Sequence, residues 1–203
     1  MHSTFRLLLA AAAFAAVSAQ ATTVVDTGTP NGSNVGALAL DSNDFYAGQM
    51  TLAQGMAIQA VYVHVLGTSA GETFTLTVYA DNAQHLPGAA LYSVQASIGS
   101  DGWNGAAGLS GWNLLAGTYW VAAELGTGDT LGNGSVTGAL LDRGAPNPLV
   151  RTAFNSGSGY VATPQALSFG LRVDAMAAVP EPTAMALWLV GLGGLALRMR
   201  RRA

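Results

Sequence analysis

The chain has 203 residues, half of them hydrophobic, a formal net charge of −3 and no cysteine, which excludes thiol catalysis, cysteine-bound metals and a disulfide frame. The charge is unevenly spread: between Thr22 and Ala178 ten acidic residues face three basic ones, Arg143, Arg151 and Arg172, with no lysine. A middle region about seven charges negative argues against nucleic acid as a partner and against docking on a membrane through a basic patch.

Taken in chain order, Met1 to Ala21 carries His2 and Arg6, an apolar run from Leu7 to Val17, and small residues ending Ala19-Gln20-Ala21. These are the parts of a secretory signal peptide, with Ala19 and Ala21 as the A-x-A residues and cleavage after Ala21. Eleven apolar residues are too few for a hydrocarbon core that needs about 20. A buried N-terminal core helix is the alternative.

Residues 22–178 are of single-domain size. Period-two alternation, the mark of a half-buried strand, recurs along them. "AIQAVYVHVL" places Val61, Val63 and Val65 on one face. "ETFTLTVYA" turns Phe74, Leu76 and Val78 inward with Thr73, Thr75, Thr77 and Tyr79 outward. "GTYWVAAEL" aligns Tyr119, Val121, Ala123 and Leu125 opposite Trp120, and "ALSFGLRVD" aligns Leu167, Phe169, Leu171 and Val173. Breaker clusters such as "ADNAQHLPGAA", "GSDGWNGAAGLSG" and "GTGDTLGNGS" read as turns. Strands at this spacing, with no long helical period in the middle, give an all-β class: an antiparallel two-sheet β-sandwich, jelly-roll-like, with one wet face per sheet. It is flanked by an N-terminal signal helix and a C-terminal transmembrane helix.

The middle carries few groups for chemistry. His64 sits opposite the Val61 face and His85 in a turn beside Pro87. A serine triad would need one of them oriented by a carboxylate such as Asp81 or Asp101. Asp41, Asp44 and Asp81 are weak candidates for a structural calcium, but they lack the spacing and closing glutamate of an EF-hand, and turn caps explain them as well. No other metal or cofactor is expected. Trp103 and Trp112 fall in a Gly-rich loop, and with Trp120 they are the candidate ligand-binding aromatics, since sugar rings stack on indole faces. The alternative is that Trp103 and Trp112 close the ends of the core.

The chain ends "VPEPTAMALWLVGLGGLALRMRRRA". Pro180 and Pro182 keep the approach extended. Ala184 to Leu197 is fourteen uncharged residues, about 21 Å as a helix, marginal for a core of about 30 Å. Arg198, Arg200, Arg201 and Arg202 follow, and clustered arginine stays cytoplasmic, so the domain is expected outside. Pro-Glu-Pro, a short apolar helix and an arginine cluster, behind a signal peptide, resemble the PEP-CTERM sorting signal of Gram-negative bacteria.

That resemblance implies an exosortase as processing partner. Pro180, Glu181 and Pro182 would be the recognition element, the apolar helix a transient membrane anchor, and the arginines its stop. It also implies release or attachment at the cell surface or in the matrix, commonly with exopolysaccharide and biofilm. A permanent single-span anchor is the alternative. "TFTLTVYADNAQHLPGAALYSVQ" with "LLAGTYWVAAEL" is similar to choice-of-anchor β-sandwich domains, which share no common activity. The expected organisation is a signal peptide at 1–21, a sandwich at 22–178 and a sorting signal at 179–203. The expected role is a non-catalytic structural protein, with a carbohydrate-binding module and a secreted hydrolase as the competing classes.

Overall fold

The computed structural model describes residues 20–29, 36–132, 134–140, 145–163 and 167–177, and these are all-β, with no helix among them. The strands in chain order are β1 (Ala21–Asp26), β2 (Gly36–Leu40), β3 (Asp44–Leu52), β4 (Met56–Leu66), β5 (Thr73–Asp81), β6 (Pro87–Ser97) and β7 (Gly102–Ala107). They continue with β8 (Asn113–Leu114), β9 (Gly117–Glu124), β10 (Gly134–Leu140), β11 (Thr152–Ser156), β12 (Tyr160–Ala162), β13 (Leu167–Phe169) and β14 (Leu171–Ala177). One sheet holds eight strands gathered around β4, which pairs with β14, β7, β8 and β10. The other runs β12-β11-β3-β9-β5-β6, and every pairing in both is antiparallel. The expected signal and transmembrane helices lie outside the described residues.

The inner faces share one hydrophobic cluster. Phe74, Leu76, Val78 and Val121 from the six-stranded sheet meet Ile58, Val61, Val63, Val65, Leu171 and Val173 from the eight-stranded one, all of them fully buried. The alternation read from the sequence therefore points inward as expected for Val61, Val63 and Val65 and for Phe74, Leu76 and Val78. β4 also shows a change of parity. Met56 and Ile58 face inward at even positions and Val61 onward at odd ones, because a bulge at Gln59 sets Asp174 opposite Ala60 but Ala175 opposite Ile58.

Two expectations fail. The glycine-rich "GWNGAA" is a strand, β7, paired with β4 from Ala60 to Val65, so Trp103 lies in a sheet and not in a loop. Its glycine at 105 is what permits the pairing, since a Cβ there would stand 2.0 Å from the Val61 carbonyl oxygen and 2.7 Å from the Tyr62 Cα. Both obstacles are backbone and cannot turn aside. Gly105→Ala should cost about 1–3 kcal/mol through displacement of β7, whereas Gly132→Ala, whose Cβ meets nothing within 4 Å, should be nearly neutral. Thermal melts of the two variants check this.

The second failure concerns the wet face of β9. Trp120, Val121, Ala122 and Ala123 are all fully buried, so this strand is covered on both sides. Trp120 and Ala122 join Ala47 and Ala153 in a small second core outside the six-stranded sheet, roofed by Tyr79, Leu86 and Tyr160. Thr77, expected outward, is buried on the same face.

Candidate functional site

The roof over that second core begins with the turn joining β5 to β6. Asn82 organises it: its side-chain Oδ1 accepts the amides of Gln84 and Leu86, and its backbone N–H and carbonyl bond to Leu86 and His85. His85 at its corner has φ 55°, the one non-glycine residue in the left-handed region among those described. Its Nδ1 donates to Oδ2 of Asp81 at 2.8 Å. The other Asp81 oxygen accepts Trp120 Nε1 at 2.7 Å and Gln49 Nε2 at 3.2 Å. Burial raises Asp81, but the hydrogen bonds from His85, Trp120 and Gln49 together outweigh it and hold the carboxyl below its ordinary value.

A second polar knot lies along the same face. The Tyr79 hydroxyl donates to both Glu124 oxygens, at 2.8 and 2.9 Å, and the Tyr160 hydroxyl donates to Glu124 Oε1. Burial first, and then the Glu124 charge, push both phenols well above their ordinary values. One carboxylate thereby ties β5, β9 and β12 together. Glu72, by contrast, stands just before β5, where it accepts the Ser69 amide at 2.6 Å.

Between the Asp81 turn and the segment entering β11 lies a surface pocket of about 230 Å³, lined by Gln49, Thr51, His85, Thr118, Val150 and Arg151. Its lining offers a cation, an imidazole, an amide and two hydroxyls.

The predicted tryptophans part company. Trp120 is fully buried and Trp112, 8 % exposed, stacks on Tyr92 with ring centroids 5.3 Å apart, so neither offers a face to a sugar and both are corrected from ligand-binding candidates to packing residues. Trp103 is half-buried on the outer face of the eight-stranded sheet, where Arg172 lies 4.3 Å over its ring and His64 meets it edge-on at 5.3 Å. Arg172 also bonds Asp26 at 3.1 Å. His64 Nδ1 pairs with the Thr137 hydroxyl at 2.8 Å, and burial lowers its pKa.

Of the pairings of His64 or His85 with Asp81 or Asp101 that the sequence allowed, His85 with Asp81 forms a hydrogen bond, while His64 pairs with Thr137 and Asp101 accepts the Thr68 amide and hydroxyl. Asp41 caps its own turn by accepting the amides of Asn43 and Asp44. Among the described residues no group of three or more His, Cys, Asp or Glu is placed to hold a metal, so Asp41, Asp44 and Asp81 are not brought together. Ala21 is the first residue of β1, whereas Ala19 and the whole sorting set, Pro180, Glu181, Pro182, Arg198, Arg200, Arg201 and Arg202, lie outside the described residues. Among the described residues no helix is long and apolar enough to cross a membrane.

Sequence reasoning missed Glu124 with its two tyrosines, and Arg151 with Gln49. Nothing local marks them, because their partners lie far along the chain: Tyr160 and Tyr79 are 36 and 45 residues from Glu124, and Gln49 and Arg151 belong to segments joined only by the pairing of β3 with the entry to β11. Residues 178–202 match the model of the PEP-CTERM protein-sorting motif. A search of curated proteins finds no match to the chain.

Proposed function

We propose that the chain is an exported protein whose C-terminal segment is read and removed by an exosortase, and that its β-domain then serves as a non-catalytic structural component of the cell surface or matrix. The observation that carries this is the sorting motif at 178–202, which begins directly after Ala177, the last residue of β14. β14 pairs with β1, Ala21 opposite Met176, so the chain enters and leaves the domain at one end of one sheet. Only Ala178 and Val179 separate β14 from Pro180, a reach of at most about 11 Å. On this reading the folded domain stands close against the bilayer while the apolar run Ala184 to Leu197 holds it, with the arginines inside.

Two antiparallel sheets around one core suit a jelly-roll-like scaffold of the choice-of-anchor kind. The hydrolase reading would rest on the Asp81 and His85 pair, but the pocket beside it is lined by no serine. A binding role through loop tryptophans loses support with the burial of Trp112 and Trp120. The test is a chain tagged both within the domain and after Ala203, followed by cell fraction. Loss of the C-terminal tag while the domain tag reaches surface or medium, dependent on the host's exosortase, is the expected result, and alanine at Pro180, Glu181 and Pro182 should keep the tags together. Two tags that remain joined in the inner membrane with the motif intact would mean a permanent anchor.

A further inference from the structure

We propose that the pocket on the outer face of the six-stranded sheet binds an anionic sugar, a uronate residue of an extracellular polysaccharide, with Arg151 holding the carboxylate and Gln49, Thr51 and Thr118 the hydroxyls. The proposal takes from the preceding reading only the place where the ligand is met; the chemistry comes from the pocket. Its floor is built on adjacent strands, with Gln49 and Thr51 on β3 and Thr118 on β9 directly opposite Thr51. His85 forms one wall and Val150 with Arg151 the other. At about 230 Å³ it is smaller than the roughly 300–1,000 Å³ of sites for larger ligands, and suits a single sugar unit.

Charge singles out the ligand. The region between the two terminal segments has three basic residues, and Arg172 is committed to Asp26 and Trp103. Arg151 has no ion-pair partner among the described residues, while its backbone carbonyl accepts the Gln49 amide at 2.9 Å, which anchors it beside the floor. A guanidinium meets a carboxylate through two parallel hydrogen bonds, a geometry that a neutral sugar cannot return. Asp81 is the adverse charge nearby, and its two oxygens are occupied by His85, Trp120 and Gln49. Because the Gln49 amide nitrogen is engaged there, its Oε1 is left to accept from a sugar hydroxyl, and the two threonine hydroxyls can donate or accept. Val150, 55 % exposed, offers an apolar edge to the C–H face of the ring. The hydrogen bonds of His85, from Nδ1 to Asp81 and from its amide to the Asn82 carbonyl, hold the wall in place without a ligand.

The test is ligand-observed NMR on the full-length chain with glucuronate and galacturonate, with glucose as the neutral control and inorganic sulfate as the simple anion. A uronate that binds at least about tenfold more tightly than glucose, without competition from sulfate, is the expected result. Arg151→Gln should weaken uronate binding about tenfold with Tm unchanged, Arg151→Lys should fall between, and Thr118→Val should weaken uronate and glucose alike. Absence of uronate binding, equal binding of glucose, full competition by sulfate, or an Arg151→Gln variant that binds as before would each overturn the proposal. None of these outcomes bears on tail removal, and the two-tag result does not bear on binding.

Discussion

Trp120→Ala is expected to lower Tm by roughly 6–20 °C, from a loss of about 3–5 kcal/mol. The indole is fully buried between Ala47, Ala122 and Ala153 on the sheet and the roof formed by Tyr79, Leu86 and Tyr160. Three of its neighbours are alanines, which cannot reach into the void that truncation leaves. Its Nε1–H is also one of three donors to Asp81, so the loss reaches the turn that carries His85. Trp103→Ala makes the comparison: that ring is half-buried, and its contact with Arg172 is worth about 1 kcal/mol at a partly exposed site. Thermal melts of the two variants should differ severalfold in ΔTm. A Trp120→Ala melt close to that of the parent would mean that the second core contributes little to stability.

Glu124→Ala should cost about 2–6 kcal/mol, because it strands two partly buried phenol hydroxyls at roughly 1–3 kcal/mol each. Glu124→Gln keeps an acceptor but loses the charge, and should fall between the parent and Glu124→Ala. The same cluster sets an alkaline limit. Tyr79 and Tyr160 have folded pKa values above the unfolded value of about 10, so above that pH the unfolded chain releases protons that the folded chain keeps. Their contribution is therefore complete below about pH 10 and is lost as the pH rises past it. In the parent, tyrosinate absorbance from these two should appear together with unfolding. In Glu124→Gln, without the carboxylate's charge, it should appear at lower pH. Identical alkaline titrations of parent and variant would show that Glu124 does not hold these phenols.

The strand class was legible because alternation is a local signal and burial enforces it: Phe74, Leu76 and Val78 had to face one way once Thr73 and Thr75 faced the other. β7 was not legible, since glycine is a turn residue by propensity, and only the close approach of β4 makes Gly105 a strand residue. The candidate site escaped for the same reason. Asp81 and His85 are four residues apart and their pairing was open to guesswork. Gln49, Thr118, Trp120 and Arg151 reach the same face only through the order β11-β3-β9-β5.

Trp103 and Trp112, both in a Gly-Trp-Asn triplet, thus received different environments, one under an arginine and one stacked beneath Tyr92, while Trp120 in its alternating strand is roofed over. The sequence by itself determined the all-β class, the acidic middle and the sorting motif, because alternation, charge and a motif carried on adjacent residues need no partner from elsewhere in the chain. Tertiary structure decided which polar groups share a face and which aromatics remain in reach of a ligand. Those follow from strand order, which is set by long-range pairing and not by any local run of residues.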